Sequence, residues 1–160
     1  MRNPPERPWL AVLRSLVPRL RLVTVGVRAL VRWEDKIVLV RHRFHDRHSW
    51  FLPGGGVDGG EDAAAACTRE VLEEAGIPLA NLVVRGVSGV FLNELSGWDD
   101  HVLVFVIDAS AAPCTLPLSL EIAECRAFGW DDLPRLSPAT ERRLRELRER
   151  SEGAPRTGRW

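Results

Sequence analysis

Residues 55–77 read G-G-V-D-G-G-E-D-A-A-A-A-C-T-R-E-V-L-E-E-A-G-I. Asp62 predicts a helix N-cap, because its short carboxylate can take the first free N–H groups. The four alanines behind it propagate a helix well. Gly76 predicts the left-handed stop at C′, with Pro78 just beyond. Within that helix Glu70, Glu73 and Glu74 fall at i, i+3 and i+4, which puts all three on one face. Val71, Leu72 and Ala75 are then left to bury the opposite face. Three crowded carboxylates repel one another unless something positive sits between them. Hard divalent cations take such oxygen ligands, and Mg²⁺ usually shares them with substrate phosphates. The residues therefore point to a metal-assisted enzyme acting on phosphates. A merely solvated acidic helix would need neither the spaced glycines nor the clustered acids.

Outward from this stretch the periodicity changes from helix to strand. In 24–32, Val25, Val27, Ala29 and Val31 alternate with Thr24, Gly26, Arg28 and Leu30. Glu34-Asp35 reads as a turn and 37–40 as a buried strand, so the two form a hairpin. Trp50-Phe51-Leu52 reads as a short third strand ending at Pro53. Gly54-Gly55-Gly56 gives a backbone that can approach a ligand closely. Two further strands are expected at 82–91 and 101–107, joined by a turn-rich link at 93–100. A proline-bearing loop at 109–119 and a last strand at 121–130 follow. Ser137-Pro138 starts a closing helix that runs to about Arg150, with proline at N1. The fold class is α/β, a mixed sheet covered on both faces. Residues 1–21 read as an N-terminal appendage with helically spaced Trp9, Leu10, Leu13, Leu16, Val17 and Leu20. The domain proper spans 22–150, and 151–160 reads as a flexible C-terminal tail.

The chain has 160 residues, 45% hydrophobic and 28% charged, with a formal net charge of +0. That is one soluble globular domain with room for a core. Neutrality offers no bulk attraction to nucleic acid or to a membrane. Lys36 is the only lysine, so the basic character is carried by arginine. Cys67, Cys114 and Cys125 are odd in number and lack C-x-x-C spacing, which fits a reducing cytoplasm rather than a disulfide framework or a zinc site. His42, His45 and His48 have no cysteine near them and do not read as a zinc site either. Arg14, Pro18 and Arg19 interrupt the apolar run near the N-terminus. This argues against a signal peptide or a membrane span.

The quoted stretch resembles the Nudix box, G-x5-E-x7-R-E-U-x-E-E-x-G-U, where U is a bulky aliphatic residue. Gly55, Glu61, Arg69, Glu70, Val71, Glu73, Glu74, Gly76 and Ile77 fill every specified position. From average composition a chance match is on the order of 10⁻⁸ per start position. The resemblance implies an α/β/α sandwich and a Mg²⁺- or Mn²⁺-dependent hydrolase of nucleoside diphosphates linked to another group X. It implies Glu70, Glu73, Glu74 and the Gly55 carbonyl as metal ligands. Arg69 would orient the acids, braced by Glu61. In this family the general base often lies outside the box. Glu121 and Glu124 are the candidates, and on a regular strand three residues apart they point to opposite faces. Glu124 is preferred, so the expected catalytic set is Glu70, Glu73, Glu124 and Arg69.

For the substrate, Arg28, Arg41 and Arg43 are expected to grip phosphate, and Phe44 or Trp50 to stack a base. The subfamily markers give no positive lead. A proline about sixteen residues past the box marks ADP-ribose pyrophosphatases, and Leu92-Asn93-Glu94 stands there instead. The chain has no tyrosine, the residue that marks dinucleoside polyphosphate hydrolases. A nucleoside triphosphate or a nucleotide-sugar is the expected small-molecule substrate, with no stable nucleic acid partner, no membrane and a possible homodimer. The other readings are a nucleotide-binding regulator of the same fold that does not cleave, and an RNA 5′-end pyrophosphohydrolase.

Overall fold

The computed structural model describes residues 22–44, 46–95, 98–114, 119–149 and 156–160. β1 (Leu22–Trp33) and β2 (Lys36–His42) pair antiparallel between Val31↔Val38 and Trp33↔Lys36. Their turn holds Glu34 at φ 55, a left-handed value that non-glycine residues seldom take. On the N-terminal side of Val31 the two strands part, and residues 51–57 wedge into the gap. Phe51 and Val40 exchange backbone hydrogen bonds of 2.9 and 3.0 Å. The Ala29 N–H donates to the Pro53 carbonyl at 2.8 Å and the Val27 N–H to the Gly55 carbonyl at 2.9 Å. The expected third strand at 50–52 is thus present only as the isolated bridges Val40↔Phe51 and Trp50↔Leu136. Pro53 has no N–H with which to extend a ladder. The wedge instead carries its glycines to the middle of the sheet.

β3 (Leu82–Leu95), β4 (Trp98–Ala109), β5 (Ile122–Gly129) and β6 (Arg156–Arg159) complete one sheet in the order β5-β2-β1-β4-β3-β6. The β1–β4 and β3–β6 pairs are parallel and the others antiparallel, so the sheet is mixed. Much of the stretch 93–100, read from sequence as a link, is ladder: Asn93↔Asp100, Glu94↔Asp99 and Leu95↔Trp98 are paired. Polar turn formers stay in strands when a partner satisfies their backbone groups.

The sequence reading of 151–160 as a flexible tail is corrected at its end. Residues 156–159 pair with β3 from Gly89↔Arg156 to Leu92↔Arg159, and the Trp160 N–H donates to the Leu92 carbonyl at 2.9 Å. Trp160 packs beside Phe91, with ring centroids 6.2 Å apart. The N-terminal appendage at 1–21, His45, and residues 150–155 lie outside the described residues.

One helix covers each face. α1 (Ala63–Ala75) buries Ala66, Cys67, Val71 and Ala75 against Val27, Ala29, Val31, Val38, Val40 and Ile107. α2 (Pro138–Arg148) drives Leu144 into Leu30, Ile37, Leu39, Trp50, Leu52, Phe91 and Val104 on the other face. The architecture is the α/β/α sandwich with a mixed central sheet. Val25, expected among the inward set, is exposed; the buried run of β1 begins beyond it, at Gly26 and Val27. The Ser137 hydroxyl caps α2 by accepting from the Thr140 N–H, with Pro138 at the start of the helix as expected.

Candidate active site

α1 is held at both ends by the residues that predicted it. Asp62 Oδ1 accepts from the Ala64 and Ala65 N–H groups at 2.9 Å. Gly76 ends the helix at φ 66, and a Cβ there would also lie 2.4 Å from the Cys114 Cβ. With its ends fixed, the helix presents Glu70, Glu73 and Glu74 to a cleft of about 420 Å³. Arg28, His42, Gly54, Gly55, Gly56, Ser119 and Glu121 line the rest of it. The Ser119 N–H donates to the Glu73 carbonyl at 3.0 Å, which ties the loop before β5 onto α1.

Arg69 organises the acids. Its Nε donates to Glu61 Oε1 at 3.0 Å and its Nη2 to Glu61 Oε2 at 3.1 Å, a two-pronged clasp. Its Nη1 donates to Glu70 Oε1 at 2.8 Å, and Nη2 also reaches the Gly56 carbonyl at 3.1 Å. Glu73 stands 3.5 Å away. The Arg69 hydrogen bond holds the Glu61 carboxyl below its usual range. Glu61 is thereby a brace, as its position in the motif implied.

Glu74 is 7% exposed, and its Oε2 accepts from the Gly54 N–H at 2.8 Å. Burial pushes its pKa up to about 7, with the Gly54 hydrogen bond and the Arg28 charge pulling the other way. Burial raises Glu70 too, against the opposing Arg69 contact. Two buried acids in one cleft, both shifted upward by burial, store a cost that a cation would relieve. The glycine loop is shaped around them. A Cβ at Gly55 would fall 2.5 Å from Glu70 Oε1, and at Gly54, where φ is 142, one would fall 2.1 Å from the Val27 carbonyl. Among the described residues no three His, Cys, Asp or Glu side chains stand together as a ready ion cage. Glu70 is turned to Arg69 and Glu74 to Gly54, so a cation would draw on acids that now have other partners.

The structure separates the two candidates for the base. Glu121 lines the cleft. Glu124 does not: its Oε1 accepts from Arg41 Nη2 at 2.6 Å, and Arg126 stands 3.5 Å from its other oxygen. The cause is a bulge. Arg41 pairs with Glu124 but His42 pairs with Ile122, so Ala123 is skipped and β5 is re-aimed. Arg41 is accordingly spent on Glu124 and on the Arg47 carbonyl. Arg43 donates to the Leu120 and Ile122 carbonyls and pins the Glu121 segment. Phe44 is 74% exposed and outside the cleft lining. Trp50, expected to stack a base, is core: it is 8% exposed and edge-on to Phe128 at 4.8 Å. Of the expected substrate residues, Arg28 alone lines the cleft. His42 and Ser119 line it without having been singled out. For His42 the available signal was its place at the end of β2, opposite the segment that carries Glu121.

The helix with its three acids thus faces a glycine loop across a cleft in an α/β/α sandwich. The NUDIX domain family model matches residues 21–149, and the chain belongs to the Nudix hydrolase family. It is 42% identical over 71 residues to nucleoside diphosphate-linked moiety X motif 6 of Xenopus laevis, covering 43% of this chain and 33% of that protein. It is 30% identical over 117 residues to an ADP-ribose pyrophosphatase of Methanocaldococcus jannaschii, covering 71% of this chain and 66% of that one. The matched region spans about a third of the length of the first curated relatives, 33% and 35%. Among solved structures, a MutT NUDIX hydrolase from Burkholderia pseudomallei superposes with a TM-score of 0.63 at 26% identity, over 79% of this chain and 99% of that one.

Proposed function

We propose that this protein hydrolyses a phosphoanhydride bond in a nucleoside diphosphate linked to a group X, with Mg²⁺ or Mn²⁺ as cofactor. A nucleoside triphosphate or a nucleotide-sugar is the substrate class. The observation that carries the proposal is the convergence of Glu70, Glu73, Glu74 and Glu121 with Arg28 around Gly54-Gly55-Gly56 in one cleft. The donor set is all oxygen, which suits a hard divalent cation and not a soft one. Glu70, Glu73, Glu74 and the Gly55 carbonyl would hold it. When bound, the cation supplies charge neutralisation at the phosphate oxygens and a more acidic water.

The chain's own residues do the rest. Arg28 grips a phosphate oxygen. Glu121 accepts the proton of the attacking water, a role that moves here from Glu124 because the latter is turned to Arg41. Arg69 fixes Glu70 from one side while Glu61 fixes Arg69. The test is a panel of nucleotides incubated with Mg²⁺ or Mn²⁺, reading phosphate and nucleoside monophosphate release. Turnover that stops in excess chelator and returns with metal is the expected result. Tight nucleotide binding with no turnover of any member would favour a non-catalytic regulator instead.

A further inference from the structure

A polar row crosses three strands beside the glycine loop. Thr24 of β1 is the register partner of Asp100 of β4, and Asp100 is the register partner of Asn93 of β3. Partners in a ladder share one face of the sheet. The Thr24 hydroxyl donates to Asp100 Oδ1 at 2.8 Å. Two residues along each strand the next row is Gly26, Val102 and Phe91. Val102 and Phe91 are each 3% exposed, so the polar row lies where the apolar cover stops.

Gly26 sets this row beside Gly55, which lines the cleft. A Cβ built there would lie 3.5 Å from both Asp100 carboxylate oxygens and 3.5 Å from the Gly55 carbonyl. Gly55 is in turn the residue whose Cβ would strike Glu70. Gly56, bridged to Gly26, has open space at its own Cβ position. The Glu70 carboxylate therefore abuts Gly55, and the Asp100 carboxylate abuts the buried Gly26 beside it. Arg28 lines the cleft, and Asp100 stands next to its glycine loop.

We propose that Asp100, oriented by Thr24 and flanked by Asn93, is a sugar-recognition residue. Its carboxylate accepts hydrogen bonds from the vicinal hydroxyls of a sugar attached to the diphosphate. An ionised carboxylate is acceptor-only with two oxygens, which matches two adjacent O–H donors. Thr24, which donates to it, is a neutral partner. A carboxylate is a poor partner for phosphate, so the substrate is ordered with phosphate toward Arg28 and a neutral, hydroxyl-bearing group toward Asp100. The inference rests on the proposed function and names a determinant of its substrate class. The diol has two possible sources, the ribose of the nucleoside or a sugar in X.

The test compares wild type and Asp100→Asn on three substrates. These are a ribonucleoside diphosphate linked to ribose, its 2′,3′-dideoxynucleoside counterpart, and the ribonucleoside triphosphate, which has no second sugar. Removing the diol that meets Asp100 should lower wild-type kcat/KM by about 10- to 100-fold, through KM, as expected for hydrogen bonds to a charged group. Asp100→Asn should shrink that discrimination toward unity while leaving the diol-free substrate's rate within about threefold. Loss with the dideoxy compound places the nucleoside ribose at Asp100; loss with the triphosphate alone places the X sugar there. Equal effects of Asp100→Asn on all three, or wild-type indifference to both diols, overturn the proposal. Calorimetric binding of the same nucleotides to Glu121→Gln repeats the comparison in a protein that turns over about 10²–10⁴-fold more slowly. Failure of hydrolysis and failure of the sugar site are thus told apart.

Discussion

Glu74→Gln is the substitution whose consequences the structure specifies most fully. The side chain is buried, and its folded-state pKa of about 7 exceeds the ordinary glutamate value of 4.5. A raised folded-state pKa means that the native protein binds the proton more tightly than the unfolded chain does. The resulting stabilisation is complete below about pH 4.5 and is lost as the pH rises through 7. At about 1.4 kcal/mol per unit, the wild type without metal gives up roughly 3 kcal/mol between those limits. Glutamine carries no charge and keeps an oxygen for the Gly54 N–H, so the variant should show little of this slope. In chelator, then, Glu74→Gln should match wild type near pH 4.5 and exceed it by up to about 3 kcal/mol at pH 8, or about 6–12 °C in Tm. Saturating Mg²⁺ at pH 8 should reverse the order, because a ligand that binds only the native state stabilises it. Activity should fall by on the order of 10²–10³. Urea melts at pH 4.5, 6 and 8, with chelator and with Mg²⁺, read all of this. Parallel pH profiles for the two proteins in chelator would refute the reasoning, as would a variant that gains as much from Mg²⁺ as wild type.

The other expectations concern the base, the loop and the core. Glu121→Gln should lower kcat by about 10²–10⁴ with little change in metal affinity, while Glu124→Gln should stay within a few-fold of wild type; steady-state kinetics with metal titration would reverse the assignment if the effects were exchanged. Gly55→Ala should cut activity sharply, since the Cβ would displace a Glu70 carboxylate 2.5 Å away, and normal kcat/KM in a folded Gly55→Ala protein would contradict that close approach. Leu144→Ala, buried on the face away from the cleft acids, should cost about 2–5 kcal/mol by denaturant melts and leave KM unchanged. A shifted KM would show that the two faces are coupled.

What the sequence made legible was local. The caps of α1 and α2, the acid face and the Arg69–Glu61 clasp depend on residues within a few turns of each other, so spacing alone carried them. Glu124 falls outside the cleft because face alternation assumes an unbroken strand, and the bulge at Ala123 depends on how β2 and β5 meet. Trp50 and Phe44 looked equivalent as aromatic neighbours of the glycine loop. Only the packing of Phe128 on Trp50 marks one as core. The Asp100 row joins residues on three strands and has no signature in any one of them. Arg156-Thr157-Gly158-Arg159 lacks apolar alternation altogether, so nothing in it announced a strand.

That last strand bears on the order in which the molecule assembles. β6 pairs with β3 across about 70 residues of intervening chain. Its four residues are all exposed, so little burial rewards the closure until Trp160 lands beside Phe91 and the Arg143 guanidinium, which lies 3.6 Å above the Phe91 ring. Arg143 is itself buried, with two nitrogens unpaired among the described residues. Its shelter from water is therefore finished by the residues that dock late. During synthesis residues 22–149 emerge before the strand that seals this edge. Until then β3 presents an open ladder to the surrounding protein, an invitation to mispairing that the short C-terminal strand withdraws.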